Sequence, residues 1–151
     1  MNKKNKASAT KIPKTLKESK FSPLAIEVIK KLKQSGFQGY LVGGCVRDSL
    51  AGIKAKDFDV STNATPEEVR KIFRSSRIIG KRFRLVHVFS RSELIEVSTF
   101  RANTSKKDNG SGVVKDSEGK ILRDNVWGTL EEDCIRRDFS VNALYFDLSL
   151  I

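Results

Sequence analysis

Two acidic residues separated by one residue, Asp57 and Asp59, carry the clearest chemical signal in this sequence. Residues 58–61 are predicted to form a β-strand, and alternate residues of a strand share a face. The two carboxylates are therefore expected to point the same way, while Phe58 packs on the other face. Two carboxylates this close repel each other unless a cation lies between them. Such oxygen ligands favour Mg²⁺, although acid pairs are also common on protein surfaces, so both interpretations stay open.

A glycine pair precedes these acids. In residues 41–48 a short apolar strand leads into Gly43 and Gly44 and then into a helix that contains Arg47. Glycines allow backbone N–H groups to approach a phosphate, and the start of a helix favours negative charge. The Arg47 guanidinium could bind a phosphate oxygen through two N–H groups. The alternative is a tight strand-to-helix turn followed by a surface arginine.

A third cluster of charged and polar residues occupies positions 131–143. Within it, Arg137 and Asn142 are suited to binding a triphosphate and a ribose or base edge. The alternative is a helix with ion pairs at i,i+4 spacing, such as Asp133 with Arg137, which stabilise a helix by a few tenths of a kcal/mol. The three clusters together favour a site for a metal-bound nucleotide.

Helices and strands that could position these clusters are signalled along the chain. Ser22 and Pro23 begin a helix that Gly36 ends, and Thr65 and Thr129 each stand at the start of a capping-box sequence. Other helices are expected over 46–50 and 129–137, and strands over 40–42, 58–61, 85–89, 94–100 and 143–151. The predicted fold is α/β (α+β), with a small curved mixed sheet and helices on one side.

Two polar segments are expected to lie outside this framework. Residues 102–120 have no apolar periodicity and are predicted to form a long mobile loop. The first 20 residues contain seven lysines and one acid, within a total net charge of +11. They are predicted to be a disordered basic tail (1–20), either a solvated leader or an arm that binds phosphates, ahead of one domain over 21–151.

Composition excludes several classes of protein. No run of apolar residues is long enough to span a bilayer, so no membrane association is expected. Cys45 and Cys134 cannot form a disulfide framework, and their spacing does not match a metal site. A cytoplasmic location is the expectation. Because the chain ends in an apolar segment without a polar cap, it is expected to be one domain of a longer or truncated protein.

The combined motifs resemble a known family. Residues 41–62 and 136–143 are similar to the head domain of class II template-independent nucleotidyltransferases, which include bacterial poly(A) polymerases and CCA-adding tRNA nucleotidyltransferases. Residues 80–88, 95–101 and 122–129 look like the poly(A) polymerase branch. The resemblance covers residues 22–151 and implies a nucleotidyltransferase-type head fold.

The resemblance also implies a role for each candidate residue. Asp57 and Asp59 would be metal-binding catalytic acids with Mg²⁺ as cofactor, and Asp138 the third acid, with Glu96 as its rival. The residues implied to bind the nucleotide are Gly43, Gly44, Arg47, Arg137 and Asn142.

The implied reaction is template-independent addition of AMP from ATP to RNA 3′ ends by a two-metal mechanism, with ATP and RNA as partners and no DNA. Two alternatives remain: CCA addition to tRNA, which also requires CTP, and an inactive fragment that binds nucleotide or RNA. In the family, neck and body domains that read the base and bind the RNA follow the head.

Overall fold

The computed structural model describes residues 11, 16–102, 113–115, 117–118, 121–124 and 126–150. In these residues the helices are α1 (Pro23–Gln34), α2 (Gly44–Leu50), α3 (Pro66–Ile72) and α4 (Leu130–Arg136). The strands are β1 (Gly39–Val42), β2 (Asp59–Thr62), β3 (Ser76–Ile79), β4 (Leu85–Phe89), β5 (Leu94–Thr99), β6 (Val113–Lys115), β7 (Ile121–Asp124) and β8 (Tyr145–Phe146). Short 3₁₀ turns cover Glu18–Lys20, Ser140–Asn142 and Leu148–Leu150.

Six of the strands form one mixed sheet in the order β3-β4-β5-β2-β1-β8. Only the central pair, β2 and β5, is parallel within this sheet, and the other neighbours are antiparallel. Strands β6 and β7 form a separate two-stranded ladder. The predicted α/β fold with a small mixed sheet is confirmed.

One face of the large sheet carries the hydrophobic core. Alternate residues of the strands, among them Leu41, Val60, Val86 and Val97, are buried against α1 and α3. Because side chains of a strand alternate between faces, the residues between them lie on the opposite face. We call this opposite face the site face; it carries Tyr40, Asp59, Ser61, His87, Glu96, Ser98 and Tyr145.

The predicted helix starts are confirmed by their caps. The Ser22 side chain accepts a hydrogen bond from the Ala25 amide, with Pro23 in the first turn. Thr65 and Thr129 each form a complete capping box with the glutamate three residues later. Helix α2 begins at Gly44, two residues before the predicted start, because Gly43 itself occupies the cap position.

Several segments differ from the sequence expectation. Strand β3 was not expected, since its four residues form a half-buried edge strand without a clear alternation. Strand β6 lies inside the predicted loop 102–120, and residues 103–112 of that loop lie outside the described residues. The predicted terminal strand over 143–151 is limited to Tyr145–Phe146, after which Leu148–Leu150 form a 3₁₀ turn with Leu150 exposed.

Packing at the N-terminal side begins before residue 21. Leu16 is only 5% exposed and belongs to the main core, and Glu18 forms an ion pair with Lys30 of α1. Residues 1–10 and 12–15 of the predicted basic tail lie outside the described part of the chain. No helix in the described part has the length and apolar content needed to cross a membrane.

Candidate active site

Asp59 and Glu96 lie directly opposite each other on the two parallel central strands. Burial raises the pKa of the Asp59 carboxyl to about 6, and the negative charges of Glu96 and Asp57 add to this effect. The positive charge of Arg137 acts in the opposite direction. Since the carboxylates destabilise one another, the site has a surplus of negative charge that a cation would offset.

Asp57 reaches this cluster from outside the sheet. Strand β2 begins at Asp59, one residue after the predicted start. Asp57 therefore precedes the strand and is exposed, and it does not share a strand face with Asp59 as the sequence predicts. Its charge nevertheless contributes to the raised pKa of Asp59. Phe58 packs against the main core, as the sequence predicts.

Asp138 lies after α4, outside the two strands that carry Asp59 and Glu96. This residue is exposed and follows the end of α4, and the charges that act on the pKa of Asp59 come from Glu96, Asp57 and Arg137. Glu96, the rival third acid, is therefore the one that lies beside Asp59. The sequence alone could not favour Glu96 over Asp138, because the parallel pairing of β2 with β5 is non-local.

The glycine pair forms the turn between β1 and α2. Gly43 has a φ of 75°, a conformation that L side chains rarely adopt, and its carbonyl accepts hydrogen bonds from the Val46 and Arg47 amides. Its own amide donates to the Leu144 carbonyl at 3.0 Å. Among the described residues, the Gly44 amide has no backbone carbonyl partner, so it is the amide of this pair that is available to an anion.

Arg47 and Asn142 are brought together across 95 residues of sequence. Arg47 Nη1 donates a hydrogen bond to Asn142 Oδ1 at 3.0 Å, and Arg47 Nε donates to Asp48 Oδ1 at 3.0 Å. Asn142 lies on the 3₁₀ turn Ser140–Asn142, which Phe139 begins with a φ of 59°. Two of the predicted nucleotide-binding residues are therefore neighbours at the end of the glycine turn.

Arg137 is held by a network on the site face that the sequence analysis missed. The side chain of Asp133 is only 1% exposed and accepts hydrogen bonds from Arg136, from the Tyr145 hydroxyl and from the Arg101 amide. Arg137 Nε donates to Tyr145 Oη at 2.8 Å and to Asp133 Oδ2 at 3.2 Å. Arg137 Nη2 donates to Asp133 Oδ2 at 3.1 Å and to Ser61 Oγ at 3.4 Å.

The sequence contained a signal for this network. Asp133 is followed by arginines at both helical spacings, i+3 and i+4, so one carboxylate faces two guanidiniums. An ion-paired helix is the alternative to nucleotide binding by Arg137 in the sequence, and nothing there indicates that Tyr145 and the Arg101 amide enclose Asp133.

The network shifts the pKa of each member. Burial alone would raise the pKa of Asp133, but the hydrogen bonds from Tyr145 and Arg101 and the charges of the arginines lower it. Burial raises the pKa of Tyr145, and its hydrogen bond to Asp133 raises it further. Burial would lower the pKa of Arg137, yet Tyr145 and Asp133 raise it. Arg137 is therefore a permanently charged guanidinium in a fixed position.

The acids on the site face have the chemistry of a Mg²⁺ site. The ligand atoms they offer are carboxylate oxygens. Burial raises the pKa of Asp59, the charges of Glu96 and Asp57 raise it further, and a cation would offset those charges. Among the described residues, no group of three or more His, Cys, Asp or Glu side chains surrounds a common point. Such a partial set fits Mg²⁺, which is bound by one or two carboxylates and completes its shell with waters and substrate phosphates.

In a comparison with known protein families, residues 39–150 match the model of the poly A polymerase head domain. The chain is 53% identical over 128 residues to poly(A) polymerase I of Haemophilus influenzae, which covers 84% of this chain and 28% of that protein. It is 41% identical over 123 residues to a CCA-adding enzyme of Listeria monocytogenes, covering 82% of this chain and 29% of that one. The chain thus spans less than a third of the length of these curated relatives.

A similar fold is found in a solved structure. The Bacillus stearothermophilus CCA-adding enzyme in complex with CTP superposes with a TM-score of 0.61 at 35% identity, covering 84% of this chain and 28% of that one. The apo form II of a CCA-adding enzyme gives the same TM-score at 25% identity, covering 84% of this chain and 30% of that one.

Proposed function

Since this chain belongs to the poly A polymerase head-domain family, we propose that it transfers AMP from ATP to the 3′ end of RNA. The observation that carries the proposal is the Asp59–Glu96 pair on the site face, with Arg137 acting on it from one side. Negative charge suited to a metal and positive charge suited to a triphosphate are thereby placed next to each other.

Asp57, Asp59 and Glu96 would supply carboxylates to Mg²⁺, one or two to each ion, with waters and substrate phosphates completing its shell. When bound, this ion would lower the pKa of the RNA 3′-hydroxyl and offset negative charge on the triphosphate. The Asp59 carboxyl, with its pKa raised to about 6, is largely ionised at neutral pH and available as a ligand. Asp138, predicted as the third acid, is assigned no contact in this arrangement and serves as the comparison in the test of Glu96.

The phosphates of ATP would meet two arginines and a glycine turn. Arg47 is oriented by Asn142 and Asp48, and the Gly44 amide lies at the start of the same helix. Arg137 engages Asp133 and Tyr145 through Nε and Nη2, while its Nη1 makes no hydrogen bond to any described residue. Nη1 is therefore the donor that Arg137 offers to a phosphate oxygen.

The proposed reaction needs no nucleophile from the protein. The RNA 3′-oxygen attacks the α-phosphorus and loses its proton, the bond from the α-phosphorus to the bridging oxygen breaks, and pyrophosphate leaves. Arg47 and Arg137 offset the charge that develops on the phosphate oxygens, and because they are already positioned they need little reorganisation during the reaction.

CCA addition to tRNA is the second candidate function. It is favoured by the likeness to CCA-adding enzymes, one of them solved with CTP. The higher identity to poly(A) polymerase I over a similar stretch of this chain supports AMP addition instead. Incorporation from ATP alone, or from both ATP and CTP, separates the two functions.

Transfer of labelled AMP to an oligonucleotide RNA in the presence of Mg²⁺ tests the proposal. The wild-type chain should extend the RNA and Asp59→Asn should not, while both should fold alike in a circular dichroism spectrum. Nucleotide binding without transfer in the wild type would instead support the inactive-fragment alternative and contradict the proposed function.

A further inference from the structure

Glu96, His87 and Arg77 form one row across three neighbouring strands. Glu96 of β5 is paired with His87 of β4, and His87 is paired with Arg77 of the edge strand β3. Directly opposite residues of paired strands project to the same face. We call these three residues, together with Asp59 at the β2 end, the cross-strand row.

The cross-strand row is open to solvent at Glu96 and Arg77, with His87 half-buried between them. Helices α1 and α3 cover the other face of the sheet, and the side chain of Glu96 is 45% exposed. His87 Nε2 lies 3.5 Å from Glu96 Oε2, between the acids and the arginine. Arg77 is exposed, and its guanidinium has no ion-pair partner among the residues that the structure describes. The row therefore runs from negative charge at the acids to an unneutralised positive charge at the sheet edge.

An exposed aromatic ring lies beside the row. Phe89 is two residues after His87, so both lie on the same face of β4, and their rings are edge-to-face with centroids 6.1 Å apart. Phe89 is 39% exposed, which is unusual for a ring on a sheet that has a large core available on its other face. Its free surface is large enough to stack against a planar group.

We propose that the cross-strand row binds the 3′-terminal nucleotides of single-stranded RNA, with a phosphodiester at Arg77 and a base against Phe89. The inference rests on the proposed function, because the row leads to the Asp59–Glu96 pair, where the terminal hydroxyl would have to lie. Guanidinium binds phosphate in a forked geometry, and aromatic rings are stacking platforms for bases of any identity.

The spacing of the row suits this occupant. Adjacent strands are about 4.8 Å apart, so the backbones at Arg77 and Glu96 lie about 10 Å apart, close enough for one RNA end to contact both. A phosphate at Arg77 and a hydroxyl at the acids would then belong to the same end of one RNA strand. The core of a protein–protein interface is depleted of charged residues, whereas this row is charged at both ends.

Binding of a 5′-fluorescein-labelled oligoadenylate, followed by anisotropy, tests the row. Arg77→Gln should weaken RNA binding and reduce the slope of log K against log salt concentration by about 0.7, the value for one phosphate contact on a single strand. Phe89→Ser should weaken binding about fivefold or more, which corresponds to one lost stacking contact. Lys71→Gln is the matched control, because Lys71 is an exposed cation on α3, against the opposite face of the sheet.

Each result decides for or against the row. The proposed row is supported if Arg77→Gln and Phe89→Ser lose RNA affinity while their ATP binding and thermal unfolding stay unchanged. Lys71→Gln should then bind RNA like the wild type. Equal losses in Arg77→Gln and Lys71→Gln would reveal a general charge effect and overturn it. Wild-type affinity in both row variants would also overturn it, as would sedimentation showing that a second copy of the chain occupies this face.

Failure of the row and failure of the proposed function are distinguishable in the same samples. If the row variants bind RNA like the wild type while the wild type still transfers AMP, only the route of the RNA is wrong. If the wild type transfers no AMP, the proposed function fails irrespective of where RNA binds.

Discussion

The Arg137 guanidinium donates a hydrogen bond to the Tyr145 hydroxyl at 2.8 Å, although α4 and β8 are separate elements joined by the 3₁₀ turn Ser140–Asn142. The same hydroxyl donates to the buried carboxylate of Asp133. Since Tyr145 also pairs with Val42 of β1 next to the glycine turn, the contact fixes the end of α4 against the sheet that carries the acids. The geometry of the site therefore depends on Tyr145 as well as on the charged residues.

Replacing Asp133 should destabilise the protein strongly. Asp133→Asn leaves Arg136 and Arg137 without their shared counter-charge, and breaking a buried pair of this kind typically costs about 3–5 kcal/mol. Urea unfolding measures the change, with Glu131→Gln as the control because Glu131 is an exposed acid on the same helix. A loss of less than about 0.5 kcal/mol, the usual range for surface substitutions, would show that the network does not hold the fold together.

A double-mutant cycle should reveal coupling between Arg47 and Asn142. Their hydrogen bond joins two residues that sequence alone assigns separately to nucleotide binding. Arg47→Lys and Asn142→Ala should each weaken ATP binding, and their effects should be non-additive by about 0.5–3 kcal/mol, as for residues in direct contact. Arg47→Lys combined with Arg77→Gln provides the control pair, whose effects should add.

Gly43→Ala should damage nucleotide binding more than the fold. Its backbone conformation, φ 75° and ψ −134°, is almost exclusive to glycine, and forcing it on alanine costs about 1–3 kcal/mol. Gly36→Ala is the control, because Gly36 also has a positive φ, of 86°, but follows α1 away from the site. Both variants should lose stability in thermal unfolding, and only Gly43→Ala should lose ATP affinity. Equal ATP affinity in the two would contradict a role for the glycine turn.

Stability without Mg²⁺ should fall as the pH rises from about 4 to 6. The pKa of Asp59 is raised from 3.8 to about 6 in the folded chain, with Glu96, Asp57 and Arg137 as the charged groups that face it. Between these values the folded state holds a proton that the unfolded state releases, so the stability of the folded state decreases with pH. Above about pH 6 the penalty is complete and constant.

Asp59→Asn isolates this effect. The measurement is the difference between two thermal unfolding midpoints, that of Asp59→Asn minus that of the wild type. In buffer that contains EDTA, this difference should increase between pH 4 and 6. Glu131→Gln controls for the general loss of a negative charge. A difference that stays flat, or that decreases over this range, would contradict the raised pKa of Asp59.

Local signals in the sequence were sufficient for most helices and strands. The capping boxes at Thr65 and Thr129 are completed by glutamates three positions later, so the formation of these caps hardly depends on the rest of the fold. The mixed sheet and the family also followed from the motifs, and both are confirmed. The edge strand β3 was missed because it depends on pairing with β4 rather than on any signal of its own.

The site was predictable in its residue types and less so in its contacts. Glu96 acquires its place beside Asp59 from the parallel pairing of strands about 35 residues apart, which no local pattern specifies. The burial of Asp133 likewise depends on Tyr145 and the backbone of Arg101, which come from distant parts of the chain. Spacing could not place Asp138 relative to Asp59, because Asp138 follows α4 while Asp59 begins β2, and no local pattern relates the two elements.

The rate of AMP addition by Glu96→Gln, compared with that of Asp138→Asn, tests the central claim most directly. Each variant removes one negative charge from a candidate third acid without changing the size of its side chain appreciably. If the Asp59–Glu96 pair forms the catalytic centre, Glu96→Gln should slow transfer by about 100-fold or more, as is typical when one electrostatic stabiliser is removed, and Asp138→Asn should stay near the wild-type rate. A wild-type rate in Glu96→Gln together with a loss in Asp138→Asn would contradict this account of the site.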